Sequence, residues 1–297
     1  MNYKKWFLKN TEGLKGKTVA VTGSTGGIGV WLCRHLAALG ADLVLLNRSK
    51  EKTDEQILKL KTEFPDIKAE FIPCDLSDIK SVKAATDALI KNCPDYLIHN
   101  AGAYSIPRYI TDCGFDNVFM INFLSPYYIT KTLLPYLAQK GGRVVAVGSI
   151  AHNYSKTDPQ NIDFRTVKAA SKAYGNAKRH LMLSFYRLFE NKKGVSLSVV
   201  HPGITFTNIT AHYPKVIFAI IKHPMKIIFM KPKKAALCVL RGLFEKTEYG
   251  FWIGPRLLDI WGLPSNKKLK TFDKAEADLV FETAEECYSK VLDFLTR

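Results

Sequence analysis

Thr18-Val-Ala-Val-Thr22-Gly23-Ser24-Thr25-Gly26-Gly27-Ile28-Gly29 constrains this chain more than any other stretch. A β-branched run enters a glycine-rich turn and leaves it as a sequence with apolar positions at helical spacing. Strand, tight turn and helix in that order open a βαβ unit, and a parallel sheet is the arrangement that needs such crossovers. The alternation continues down the chain. Short apolar runs at Leu43–Leu46, Ala69–Ile72, Tyr96–Ile98, Val144–Val147 and Ser196–Val200 read as strands buried on both faces. Amphipathic stretches at Ile28–Leu39, Lys52–Glu63, Ser81–Lys91, Gly114–Gln139 and Val167–Glu190 supply the helices between them. The expected fold is α/β, a doubly wound parallel sheet.

No repeat, low-complexity tract or linker divides the 297 residues, so a single domain over 1–297 is expected. One stretch departs from the pattern. Tyr213–Pro232 reads YPKVIFAIIKHPMKIIFMKP, where Pro224 breaks any helix into two pieces, each apolar on one side and studded with lysine. We read segment 207–232 as a helical lid after the sixth strand. Phe206, Tyr213, Ile217, Phe218, Ile221 and Phe229 are candidate pocket walls, and the basic apolar surface also suits peripheral membrane contact. A helical stretch Lys233–Lys246, a strand Tyr249–Ile253 and a C-terminal helix 274–297 complete the chain.

The net charge of +16 favours anionic partners such as cofactor phosphates or acidic lipid, but no nucleic-acid module accompanies it. Six scattered cysteines without a CxxC pair point to reduced thiols and a cytoplasmic setting, and they argue against zinc. Neither a secretory signal nor an apolar run of membrane-spanning length is found, so a soluble or membrane-peripheral protein is expected.

A backbone without Cβ atoms admits a pyrophosphate, and a helix N-terminus offers it unpaired N–H groups, so Gly23, Ser24, Thr25, Gly27, Ile28 and Gly29 form a dinucleotide cradle. The second strand ends Asn47-Arg48-Ser49-Lys50, without the acid that would hold a ribose 2′-hydroxyl. Arg48 pairs with a 2′-phosphate and Asn47 does not repel one, which favours NADP(H) over NAD(H). Asp75 and Leu76 follow the third strand at the adenine edge, although Asp75 could equally cap the next helix. Asn100, Ala101 and Gly102 let the backbone pass beside the cofactor; His99 reads as a packed residue.

Of three Tyr-x-x-x-Lys pairs, only Tyr174/Lys178 is preceded by an apolar run ending in a hydroxyl, Ser149, and followed by another apolar run. Tyr127/Lys131 and Tyr136/Lys140 read as ordinary helix faces. Four residues apart on a helix, Tyr174 and Lys178 project from one side. An unperturbed phenol is too weak an acid for easy base work, and a nearby ammonium would lower its pKa.

Taken in order, TGxxxGIG, NAG, Asn122, Ser149, YxxxK and Pro202-Gly203 resemble the short-chain dehydrogenase/reductase family from Thr22 to Thr207. The resemblance implies a Rossmann fold of about seven strands and a catalytic tetrad of Asn122, Ser149, Tyr174 and Lys178. It also implies that Pro202, Gly203 and Thr207 bind the nicotinamide carboxamide. Gly148 and His99 depart from the family's usual neighbours. The 24 residues between Ser149 and Tyr174 resemble its retinol-dehydrogenase-like branch and suggest a lipophilic substrate. The implied activity is interconversion of a small-molecule alcohol and an aldehyde or ketone, with a homo-oligomer compatible with it. The competing expectation is a catalytically silent NADP(H)-binding regulatory protein.

Overall fold

A computed structural model describes residues 3–205 and 230–297. The segment 207–229, with the candidate pocket walls from Phe206 to Phe229 and the carboxamide candidate Thr207, lies outside the described residues. Eight strands form one sheet in the order β3-β2-β1-β4-β5-β6-β7-β8. β1 (Thr18–Thr22), β2 (Asp42–Asn47), β3 (Ala69–Pro73), β4 (Tyr96–His99), β5 (Arg143–Val147), β6 (Ser196–Val200) and β7 (Phe251–Leu257) are parallel. The eighth, β8 (Trp261–Lys268), pairs antiparallel with β7. It was not expected, because Gly262, Pro264 and a polar WGLPSNKK composition hide a strand; an edge position tolerates all three.

Helices cover both faces, as burial of every central strand requires. On one side α1 (Tyr3–Asn10), α2 (Gly27–Ala38), α3 (Lys50–Glu63) and the helix Pro232–Phe244, here α8, enclose a core that includes Trp6, Leu32, Leu36, Leu60, Leu237 and Leu240. On the other, α4 (Ile79–Lys91), α5 (Asn117–Phe119), α6 (Ser125–Gln139), α7 (Ala170–Phe189) and α9 (Lys274–Thr296) bury an aromatic-rich core around Phe119, Phe123, Tyr127 and Phe185. The short α1 had no strong periodicity to announce it; Trp6, 1% exposed, holds it down.

Between α5 and α6 the chain makes a π turn, Met120–Leu124, inside what the sequence presents as one helix. A widened turn of this kind costs regular hydrogen bonding and is frequent at functional sites. Of the other two Tyr/Lys pairs, three side chains bond within the fold and Tyr136 is exposed. Tyr127 and Lys131 both bond Glu285 of α9, and Lys140 donates to the carbonyl of Cys93. All six cysteines are free thiols, and no helix among the described residues is long and apolar enough to cross a membrane.

Candidate active site

The parallel strands end along one edge of the sheet, and the sequence-predicted residues gather there, at the crevice where open α/β sheets bind ligands. Gly23 (φ +65) turns the chain out of β1. A Cβ on it would lie 2.8 Å from the Cα of Ala101, and one on Gly29 would lie 2.3 Å from the carbonyl oxygen of Gly23. The turn can therefore be this tight only with glycine at both places. Gly26 caps α2 without a side-chain bond, leaving the first-turn N–H groups of Gly27, Ile28 and Gly29 without an intrahelical acceptor. Those donors suit an anionic group.

Ser24 and Asn47 have a different task from the one expected. Asn47 donates to the Ser24 hydroxyl (2.7 Å) and to Thr53 (3.1 Å), and accepts from the Ser24 backbone (2.9 Å). Gln56 closes the set through the Ser24 hydroxyl and carbonyl. Both side chains are buried, so they tie the turn to β2 rather than face a ligand. Gln56 and Thr53 carried no sequence signal. Arg48 is exposed beside this clamp and has no ion-pair partner among the described residues.

Asp75 accepts from the backbone and hydroxyl of Ser77, while Asp78 caps α4, so the capping alternative for Asp75 does not hold. The Leu76 carbonyl accepts from Ser125. Asn100 donates to the carbonyls of Thr22 (3.2 Å) and Gly23 (2.9 Å), and Ala101 N–H donates to the Thr22 hydroxyl (3.1 Å). β1 and β4 are thus locked together under the turn. His99 is buried, bonds Thr130 at 2.7 Å and is held down to about 3 by burial and the Lys178 charge, which makes it a packed neutral ring.

The π turn explains Asn122. Its amide donates to the carbonyls of Ala103 (2.9 Å) and Val118 (2.8 Å) and its oxygen accepts from Ala103 N–H (3.2 Å). It therefore fixes the Asn100–Ala103 loop instead of bonding only within its helix. A Cβ on Gly102 would meet the Asn122 oxygen at 3.0 Å and the Lys178 amine at 3.6 Å, which places these three residues side by side.

Lys178, 2% exposed, donates to the Val147 carbonyl at 2.8 Å, just past which Ser149 leaves β5. Tyr174 lies one turn earlier on α7, partly open, with the Tyr104 ring edge-on at 5.4 Å and the Lys178 amine 5.8 Å from its own ring centre. Ser149 starts a 3-10 turn, Ile150–Tyr154, and its hydroxyl accepts from Ala151 N–H at 3.2 Å. Gly175 brings that turn against α7, since a Cβ there would sit 2.3 Å from the Ala151 carbonyl oxygen. Gly148 has an equally local reason: the Met182 sulfur occupies the space its side chain would take, 2.6 Å from an added Cβ. Beneath the turn, His152 bonds the Ser149 carbonyl (2.6 Å) and Thr271 (2.7 Å), a support that sequence spacing did not reveal.

The electrostatics differ from the expectation for this pair. Burial pushes the Tyr174 phenol up to about 12, opposed by its hydrogen bond with Ser149 and reinforced by Tyr104. Burial also drives the Lys178 amine down to about 7. The amine points at the Val147 carbonyl and is itself short of charge, so it does not depress the phenol in the ligand-free protein. Pro202 and Gly203 follow β6; Gly203 has φ +83, and an added Cβ would meet Met230, Pro255 and the Ile260 carbonyl within 2.9 Å.

A family profile described as short chain dehydrogenase matches residues 17–216. Human polyprenol dehydrogenase is 30% identical over 207 residues, covering 66% of this chain and 63% of that protein. Human retinol dehydrogenase 13 is 30% identical over 205 residues, covering 67% and 62%. The matches span a little under two thirds of those relatives' own lengths. Among solved structures, an uncharacterized protein from Mycobacterium paratuberculosis superposes with a TM-score of 0.75 at 22% identity over 95% of this chain and 96% of its own. The chain belongs to the short-chain dehydrogenase family, with relatives in its retinol-dehydrogenase-like branch.

Gly175 gives a direct test of this geometry. Alanine inside a helix ordinarily gains about 1 kcal/mol over glycine. Here the obstacle is a backbone carbonyl that cannot rotate away, and overpacking costs about 1–3 kcal/mol. Gly175→Ala should lower the urea-unfolding free energy and cut turnover about tenfold or more by moving Tyr174 from Ser149; an equally stable, equally active variant would remove this contact from the account.

Proposed function

We propose that the protein is an NADP(H)-dependent oxidoreductase that interconverts an alcohol and an aldehyde or ketone. The observation that carries this reading is the convergence of Ser149, Tyr174 and Lys178 at the ends of β5 and α7, beside a glycine turn whose free N–H groups suit a pyrophosphate. Gly23, Thr25, Gly27, Ile28 and Gly29 would hold the phosphates; Arg48 would hold the adenosine end, with Asp75 and Leu76 near the adenine. Asn100, Ala101, Gly102, Pro202, Gly203 and Thr207 would flank the nicotinamide half. When bound, the dinucleotide supplies or accepts the hydride.

Ser149 donates a hydrogen bond to the substrate oxygen and stabilises its growing negative charge during reduction. Tyr174, a phenol held protonated by burial, then gives that oxygen its proton. Lys178 holds ribose hydroxyls, and the negative charge of a bound dinucleotide favours its ammonium form. An ammonium restored in this way lowers the phenol pKa in turn, so the pair becomes competent for alcohol oxidation only once loaded. Asn122 keeps the loop from Asn100 to Ala103 in place beside Lys178 and positions a proton-carrying water.

The long interval before Tyr174 supports a lipophilic substrate. It is tied to the preceding loop: Arg108 bonds Asp116 and the carbonyls of Phe164 and Val167, and Asp163 accepts from Asp116 N–H and from Arg165. Polyprenol and retinol, the alcohols in the names of the two relatives, are both apolar.

Tyr174→Phe should reduce turnover with NADPH and a panel of aldehydes by about 100-fold or more while leaving the dinucleotide dissociation constant unchanged. Undiminished turnover would refute the role of the phenol. For the cofactor, Arg48→Ala should lower kcat/KM for NADPH by about 10- to 100-fold, the worth of a charged hydrogen bond, and barely alter that for NADH. A wild-type preference for NADH would defeat the NADP(H) reading.

A further inference from the structure

The turn between β7 and β8 conflicts with its own conformation. Ile260 N–H donates to the Leu257 carbonyl at 3.0 Å, and the two residues between them, Leu258 (φ 52) and Asp259 (φ 58), are both left-handed. Such a turn favours Asn-Gly or Asp-Gly, because a larger side chain at positive φ is strained. Asp259 is compensated: its carbonyl accepts from His201 (3.0 Å) and its carboxylate pairs with Lys267 (2.7 Å). Leu258 is not. It is 80% exposed, next to Leu257 at 59%, and Trp261 completes the patch at 37%. Strain that the folded chain does not repay by burial points to a use outside the fold.

The patch sits at a defined place. Met230, Pro255 and Ile260 all converge on Gly203, so the turn and the start of α8 lie together at the edge of the sheet that carries Ser149 and Tyr174. Lys231 and Lys234 at the start of α8 and Arg256 beside Leu257 are exposed and have no ion-pair partner among the described residues. The one acid in the turn, Asp259, is already neutralised by Lys267. Exposed leucines and a tryptophan on the same edge as cations without an ion-pair partner among the described residues match a lipid interface in which apolar tips enter the acyl boundary and the cations stay with acidic headgroups.

We propose that the Leu257–Trp261 turn is a docking element for an anionic phospholipid bilayer, binding the protein peripherally with the mouth of its site toward the membrane. The proposal is independent of the stretch 213–229 and of which carbonyl the site reduces.

The test is flotation of the full chain with vesicles of phosphatidylcholine, alone or with roughly 30% phosphatidylserine, at low and near-physiological salt. Wild type should float with the acidic vesicles, more at low salt. Leu257→Ser with Leu258→Asn should lose at least about tenfold in vesicle affinity, and Arg256→Glu about fivefold or more at low salt. Asn suits the left-handed position, so the double variant should fold at least as well, and NADPH turnover of a water-soluble aldehyde should stay at the wild-type level. Absence of wild-type binding to acidic vesicles at low salt would overturn the proposal, as would a double variant that floats like wild type. Light scattering that shows wild-type self-association lost in the double variant, without flotation of either, would overturn it in favour of a second copy of this chain as the occupant.

Discussion

The hydrogen bond from the Lys178 amine to the Val147 carbonyl ties α7 to the end of β5, and the rest of the site is arranged around it. One residue beyond that carbonyl the chain turns at Gly148, where Met182 of α7 fills the space, and Ser149 then opens a turn pressed against Gly175. Helix and strand end are therefore joined at three successive levels. A hydroxyl on one element and a phenol on the other can be held in register only if neither element shifts, and orientation of this kind accounts for much of an enzyme's advantage over solution.

That join requires deep burial, and burial has an electrostatic consequence. An amine removed from water loses charge, and a phenol partly shielded from water holds its proton more tightly. The ligand-free site thus holds a reluctant acid beside a half-neutral base, a pair at rest. Under the proposed function, ribose hydroxyls that accept from Lys178 would favour its ammonium form, and an ammonium there would make the phenol more acidic. On this account the bound ligand prepares the residues that act on the substrate, and the protein supplies position rather than a permanent field.

The strand–turn–helix grammar of this chain was legible because parallel strands buried on both faces are continuously apolar, and because glycine is demanded wherever backbone passes backbone, as at Gly23 and Gly29. Motif order singled out Tyr174/Lys178, the pair that the fold sets beside Val147 and Ser149. Features that depend on distant partners were not legible. Ser24 and Asn47 resemble ligand-facing residues until Gln56 and Thr53 are seen to consume their polar atoms. His152 gained its place under Ser149 from Thr271, over a hundred residues away. β8 had no apolar alternation because an edge strand needs none, and the π turn at Asn122 breaks no sequence rule. The charge state of the pair in the ligand-free protein was not legible for a related reason: spacing gives proximity, whereas charge depends on burial, which only the packed helix reveals.

The most direct measurement is the titration of Lys178 itself, by nuclear magnetic resonance of protein labelled with carbon-13 at lysine Cε and assigned with Lys178→Arg. The amine is charged below its pKa, so the account predicts loss of the ammonium signal through a midpoint of about 7 without dinucleotide, and a midpoint displaced upward when NADPH, whose nicotinamide ring is neutral, is bound. A Lys178 that titrates near 10.5 in the free protein, or that does not respond to the dinucleotide, would contradict it.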